Sequence, residues 1–319
     1  MKKQKIGYQI GLILLMGIII FATLTGCAKP DAAASKTLTN SVSLPNTMSQ
    51  EAWADSKKEI DLSTGIKMKY VEMGQADGPI IIFLHGMTDN SRSWSLIEPY
   101  FTSKYHIYML DQRGHGATDK PDMRMYPISL YASDLAAFMD QQGIKKADII
   151  GHSLGSMIAQ AFAINYPEHV DHLVLESSTL VNNQTIGLDM YNATLAFGDN
   201  PPSEEFMDNW YSTPNPVDEE FLSHEKAESS AIPPYAWRAI TKGGAFSDLT
   251  PFMTEIKAPT LILWGTSDTF FAEKNQDDLR KALPNAKFIA YENIGHNIHW
   301  EDPQRMAADV LSFLGTPTN

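Results

Sequence analysis

The distribution of apolar residues divides the chain into regions of different character. Lys2, Lys3 and Lys5 precede an uncharged run dense in Ile, Leu, Gly and Met that ends at Cys27. Small and polar residues fill 28–50, with few large apolars. From about Leu62 short apolar runs alternate with longer amphipathic ones. Ile80-Ile81-Ile82-Phe83-Leu84 is continuously apolar, as a strand buried on both faces requires. His106 to Leu110, Ile149-Ile150, Leu173-Val174-Leu175, Leu261 to Trp264 and Phe288 to Tyr291 repeat the pattern. Helices are expected at about 129–142, 154–166, 273–283 and 302–314, with Pro121, Pro127, Pro167, Pro284 and Pro303 in loops or at helix ends. This alternation is that of an α/β domain with a mostly parallel sheet flanked by helices. It stops between about Thr179 and Ser247, where aromatics, acids and prolines intermingle without a buried-strand run. That stretch reads as a helical cap inserted between two strands, placed over the carboxyl edge of the sheet. The organisation expected is therefore a leader over 1–26, a flexible spacer over 27–50, a core over 51–178 and 248–319, and a cap over 179–247.

Cys27 is the sole cysteine, so no intramolecular disulfide is expected. It ends the tetrad Leu24-Thr25-Gly26-Cys27, which resembles the lipobox of bacterial lipoproteins. That resemblance implies a cleaved signal peptide, lipid on Cys27, and a body tethered to the outer face of the cell membrane. An uncleaved transmembrane anchor is the competing reading, because the apolar run is nearly long enough to span. The formal charge is −13, and loss of the three leader lysines brings it to −13 − 3 = −16. A charge of that sign opposes nucleic-acid binding and electrostatic docking on anionic lipid. Hydrophobic residues at 43% supply ample material for a core.

One pentapeptide carries most of the chemistry. Gly151-His152-Ser153-Leu154-Gly155 lies between a strand-like and a helix-like run. A serine there must turn sharply from strand into helix, and glycines two residues either side remove the Cβ atoms that would clash. The turn lifts the Ser153 hydroxyl out at the sheet edge and aims the Leu154 N–H, at a helix N-terminus, toward an incoming oxyanion. No H-E-x-x-H, G-x-G-x-x-G or Walker-type loop occurs, so neither metal nor cofactor is expected. Gly243-Gly244 reads as a hinge or turn.

Four more segments, with this one, resemble the α/β-hydrolase fold superfamily and in particular its capped serine hydrolases, from about Gly65 to Phe313. After Leu84, the His85-Gly86 turn of such proteins presents the next N–H to the oxyanion, which implies a hole formed by Met87 and Leu154. Asp111 to Asp119 resembles the family's D-x-R-G-x-G-x-S-D loop, with Thr118 for Ser, and implies a structural Arg113–carboxylate pair. Asp268, ending Trp264-Gly265-Thr266-Ser267-Asp268, stands where the family places the acid that orients its histidine. Glu176, after Leu173-Val174-Leu175, is the alternative acid. His296, in Ile294-Gly295-His296-Asn297, stands where the family places the base, while His299 reads as a packing or capping residue. The order Ser153, Asp268, His296 is the one this fold uses.

The resemblance implies attack by Ser153 on a small-molecule ester and release of the acyl-enzyme by water. A lactonase, including one for acyl-homoserine lactones, a thioesterase, a C–C bond hydrolase or a perhydrolase would use the same groups. A receptor that keeps the fold without turnover is the reading from another class. A peptidase is a weaker one, resting on the cap acids Glu204 and Glu205.

Overall fold

The computed structural model describes residues 48–180 and 184–315. The leader, Cys27 and nearly all of the spacer lie outside them. Strands β1 (Lys58–Asp61), β2 (Lys67–Gly74), β3 (Ile80–Leu84), β4 (His106–Asp111), β5 (Ala147–His152), β6 (Val170–Glu176), β7 (Thr260–Gly265) and β8 (Lys287–Tyr291) form one sheet. Its order is β1-β2-β4-β3-β5-β6-β7-β8. β2 runs antiparallel to both β1 and β4, and the remaining pairs are parallel. The first two strands are absent from the sequence reading because their charged residues interrupt the apolar pattern. Lys58, Glu59 and Asp61 are exposed at the sheet edge, where one face needs no core.

The apolar runs are explained by two cores, one on each face. Ile82 and Leu84 of β3, Ile149 of β5, Leu173 and Leu175 of β6 and Ile262 of β7 point into one. Their neighbours Ile81, Phe83, Ile150, Val174, Leu261 and Leu263 point into the other. Successive strand residues alternate faces, so a strand buried on both must be apolar throughout. Helices α1 (Ile128–Gln142) and α2 (Leu154–Asn165) contribute to the first core, and α9 (Pro303–Leu314) to the second.

Between β6 and β7 the chain forms α3 (Gln184–Leu195), α4 (Glu204–Trp210), α5 (Glu219–Ser230) and α6 (Pro234–Ala245), called the cap below. Ser203 and Asp218 cap α4 and α5 by accepting from Phe206 N–H at 3.2 Å and Phe221 N–H at 2.8 Å. Gly243 is neither hinge nor turn but lies inside α6. A Cβ there would sit 1.8 Å from the Tyr126 carbonyl oxygen, so the glycine permits helix-to-backbone contact. Helices α7 (Glu273–Ala282) and α8 (Ile298–Glu301) flank β8 in sequence.

Candidate active site

Because β3, β5, β7 and β8 are parallel, the residues that follow them emerge at one edge of the sheet. Ser153 follows β5 directly and is held at φ 50°, ψ −114°. This is a conformation a non-glycine residue adopts only when its surroundings force it. The force comes from packing on both sides. A Cβ on Gly155 would lie 2.0 Å from the Leu84 carbonyl oxygen, and one on Gly151 would lie 2.4 Å from that of Gly155. Ser153 N–H donates to the Glu176 carbonyl at 3.0 Å, which anchors the turn to β6. Leu154 is the first residue of α2, whose opening N–H groups have no partner within the helix.

Asp268 follows β7 and is held from three directions. Its Oδ1 accepts the N–H of Phe270 at 2.8 Å and of Phe271 at 3.1 Å. Its Oδ2 lies 2.9 Å from His296 Nδ1. A carboxylate can only accept, so Nδ1 carries the proton and Nε2 is left free to take one. Burial opposes charging His296, but the Asp268 carboxylate outweighs it, with Glu176 and Asp89 adding to the same effect. The net result is a pKa above the ordinary 6.5.

The alternative acid pairs elsewhere. Glu176 Oε1 accepts the backbone N–H of His299 at 3.0 Å and lies 2.7 Å from its Nδ1. His299 Nε2 in turn meets Ser93 Oγ at 2.9 Å. Burial raises Glu176 to about 7 and pushes the His299 imidazole well below its usual range. His152, Glu176 and His299 bring donor atoms within 4.8 Å of one another. Both ring nitrogens of His299 have partners in Glu176 and Ser93, and the His152 ring packs against it with centroids 4.6 Å apart. His85 is likewise structural. Its Nδ1 lies 2.8 Å from the Gly86 carbonyl, its Nε2 accepts Gln112 N–H at 3.0 Å, and burial lowers it to about 4. Arg113 reaches Asp134 through Nε at 2.7 Å and Nη2 at 2.6 Å.

Ser153, His296 and Met87 line one cavity, together with Asp89, His152, Asn297, Trp300 and the cap residues Met190, Trp210 and Tyr211. Its volume is about 30 Å³, room for about two water molecules. The cap is bonded to its wall: Trp210 Nε1 donates to Thr88 Oγ1 at 3.1 Å, and Tyr211 OH to Asp89 Oδ1 at 3.0 Å. Phe221 and Trp237 are buried inside the cap, and Glu204 and Glu205 are exposed on α4, away from the cavity. Asp89, His152, Asn297 and Trp300 were not singled out as lining residues from sequence. The only signal was an acid placed three residues beyond the His85-Gly86 turn.

Residues 79–303 match the family model described as alpha/beta hydrolase fold. The chain belongs to that family. Among proteins similar to this hydrolase is one from Bacillus subtilis (strain 168), provisionally named 2-succinyl-6-hydroxy-2,4-cyclohexadiene-1-carboxylate synthase. The two are 28% identical over 276 residues, covering 80% of this chain and 97% of the other. The 2-hydroxy-6-oxononadienedioate/2-hydroxy-6-oxononatrienedioate hydrolase of Paraburkholderia phymatum is 26% identical over 266 residues, covering 79% and 92%. Among solved structures, a hydrolase from Pseudomonas aeruginosa PA01 superposes with a TM-score of 0.74 at 22% identity, covering 82% of this chain and 98% of that one. That last likeness concerns the fold.

Proposed function

We propose that this hydrolase cleaves carboxylic esters carrying small to medium apolar groups, through an acyl-enzyme on Ser153. The observation that carries the reading is the Asp268–His296 pair opening onto the same cavity as Ser153. His296 Nε2 takes the Ser153 proton as Oγ attacks the carbonyl carbon. The N–H groups of Met87 and Leu154 hold the oxyanion, one such donor being worth about 3–4 kcal/mol. The imidazolium, steadied by Asp268, passes its proton to the leaving alcohol. Water then gives its proton to His296, attacks the acyl carbon, and releases the acid.

Charge favours an ester over the substrates of the two named relatives. Those names specify a carboxylate and a dioate. The residues lining this cavity include no Lys or Arg to receive a carboxylate, and their one acid is Asp89. The aromatic walls suit apolar groups. A series of p-nitrophenyl esters of rising acyl length is expected to give its highest kcat/KM at short to medium chains. Turnover of dicarboxylate C–C substrates in preference to every ester would overturn the reading.

We also propose that the catalytic body is tethered outside the cell membrane through lipid on Cys27. The support is the lipobox-like tetrad and the uniqueness of that cysteine. No helix among the described residues is long and apolar enough to cross a membrane. Cys27→Ser is expected to abolish palmitate incorporation and to leave the unprocessed chain in the membrane. Undiminished palmitate labelling would refute lipidation at this site.

A further inference from the structure

Two polar side chains on the cavity wall, Asp89 and His152, face each other. Asp89 is 4% exposed and, among the described residues, is the only acid on the cavity wall. Its Oδ1 accepts from Tyr211, while its Oδ2 lies 4.0 Å from His152 Nδ1. His152 Nε2 lies 3.1 Å from the His296 carbonyl oxygen, which can only accept. Nε2 therefore carries the proton, and Nδ1 presents a lone pair. That Nδ1 is buried and has no hydrogen-bond partner among the described residues. An unpartnered buried acceptor is costly, which marks the neighbourhood of Nδ1 as a place for a donor.

The backbone fixes how the pair is approached. A Cβ on Gly86 would lie 2.7 Å from His152 Nδ1 and 2.8 Å from Asp89 Oδ2, so only glycine can pack against the pair. Two acceptors 4.0 Å apart suit one nitrogen that donates to both at about 2.9 Å. Charge then selects among donors. No Lys or Arg lies on the cavity wall among the described residues. The buried acids Glu176 and Glu225 lie close enough to Asp89 for each to disfavour its charged state or have its own disfavoured. Trp210, Tyr211, Phe270 and Trp300 supply aromatic walls, and ring faces attract cations. A neutral hydroxyl or a water could bridge the acceptors. A cation also answers the aromatic walls, and its charge would favour the ionised form of Asp89.

We propose that Asp89 and His152 form an ammonium subsite beside Ser153, which selects esters with a cationic amino group a few bonds from the scissile carbonyl. The proposal deepens the ester-hydrolase reading and rests on it. The amino group donates to Asp89 Oδ2 and His152 Nδ1, and the carbonyl carbon faces Ser153. Asp89 and Ser153 line the same cavity, and amino-acid esters are the class that carries its amino group one carbon from the carbonyl. Burial raises the Asp89 carboxyl to about 7, and a bound ammonium would restore its charged form.

Three methyl esters of nearly one shape test this on the full chain at neutral pH: alanine methyl ester, methyl isobutyrate and monomethyl methylmalonate. They differ in carrying an ammonium, a methyl or a carboxylate at one position. The expected order of kcat/KM places the ammonium ester at least about tenfold above the methyl one, with the carboxylate ester last. In Asp89→Asn the ammonium-to-methyl ratio is expected to fall to about one, whatever the variant's absolute rate. A native ratio at or below one, or a ratio that survives Asp89→Asn, would overturn the subsite. Calorimetry with alaninamide and isobutyramide reads the subsite without turnover and without a variant. Preference for alaninamide in a chain that hydrolyses no ester would keep the subsite and sink the esterase. Equal affinities for the two amides would sink the subsite alone.

Discussion

Ser153→Ala is expected to lower kcat by about 10⁴–10⁶-fold for every ester the chain turns over, while KM and the melting temperature barely move. The size of the effect follows from the role proposed for this atom. Without Oγ no acyl-enzyme forms, and only binding and the oxyanion N–H groups remain to help water. Stability is spared for a separate reason. The turn at φ 50° is imposed by the tight approach of Gly155 to Leu84 and of Gly151 to Gly155. Among the described residues the bonds at position 153 run through its backbone: N–H to Glu176, and the carbonyl from Ser156. The measurement is steady-state kinetics beside thermal unfolding of the same preparation. A rate loss below tenfold in a folded variant would place the nucleophile elsewhere.

The second large effect separates two buried acids that the sequence left in competition. Asp268→Asn is expected to cost about 10³–10⁴-fold in kcat. An amide at this position can turn its NH₂ toward His296, which favours the wrong tautomer. Glu176→Gln is expected to leave kcat within about tenfold and to lower the melting temperature, because its bonds run to His299. The pH profile adds a readout that a structural role would not produce. His296 must be neutral to act as base, so kcat/KM rises with pH through the His296 pKa. The Asp268 carboxylate raises that pKa, so the native midpoint lies above 6.5. In Asp268→Asn the midpoint shifts to lower pH, since the imidazolium has lost its principal partner. A midpoint unchanged in Asp268→Asn but lowered in Glu176→Gln would reverse the assignment.

What could be read from sequence, and what could not, divides along a physical line. Strands β3 to β8 are legible because burial on both faces demands unbroken apolar runs, whereas β1 lies at an exposed edge and β2 beside it is only partly buried, so neither carries such a mark. Ser153 is legible because its turn needs glycines at fixed spacing. Asp268 and His296 took their assignments from a family resemblance and from chain order, and the structure adds the 2.9 Å contact between them. The choice between Asp268 and Glu176 depends on which histidine each one meets, which local sequence does not encode. Pairing of His152 with Glu176 across β5 and β6 places that acid beside the residue that precedes Ser153. The same limit hid the Asp89–His152 pair. Leu84 of β3 pairs with Gly151 of β5, so the residues just beyond each strand converge although more than sixty positions separate Asp89 from His152. Gly243-Gly244 misled for the opposite reason: a glycine that usually breaks a helix is here required within one by the nearby Tyr126 carbonyl.

The most direct test of the central claim is covalent capture by an alkyl fluorophosphonate, read by intact mass and then by peptide mapping. The account predicts one adduct per chain, on the peptide that carries Ser153, formed rapidly and lost in His296→Ala. No adduct on the folded protein, or an adduct on any other residue, would contradict a nucleophile at Ser153 activated by His296.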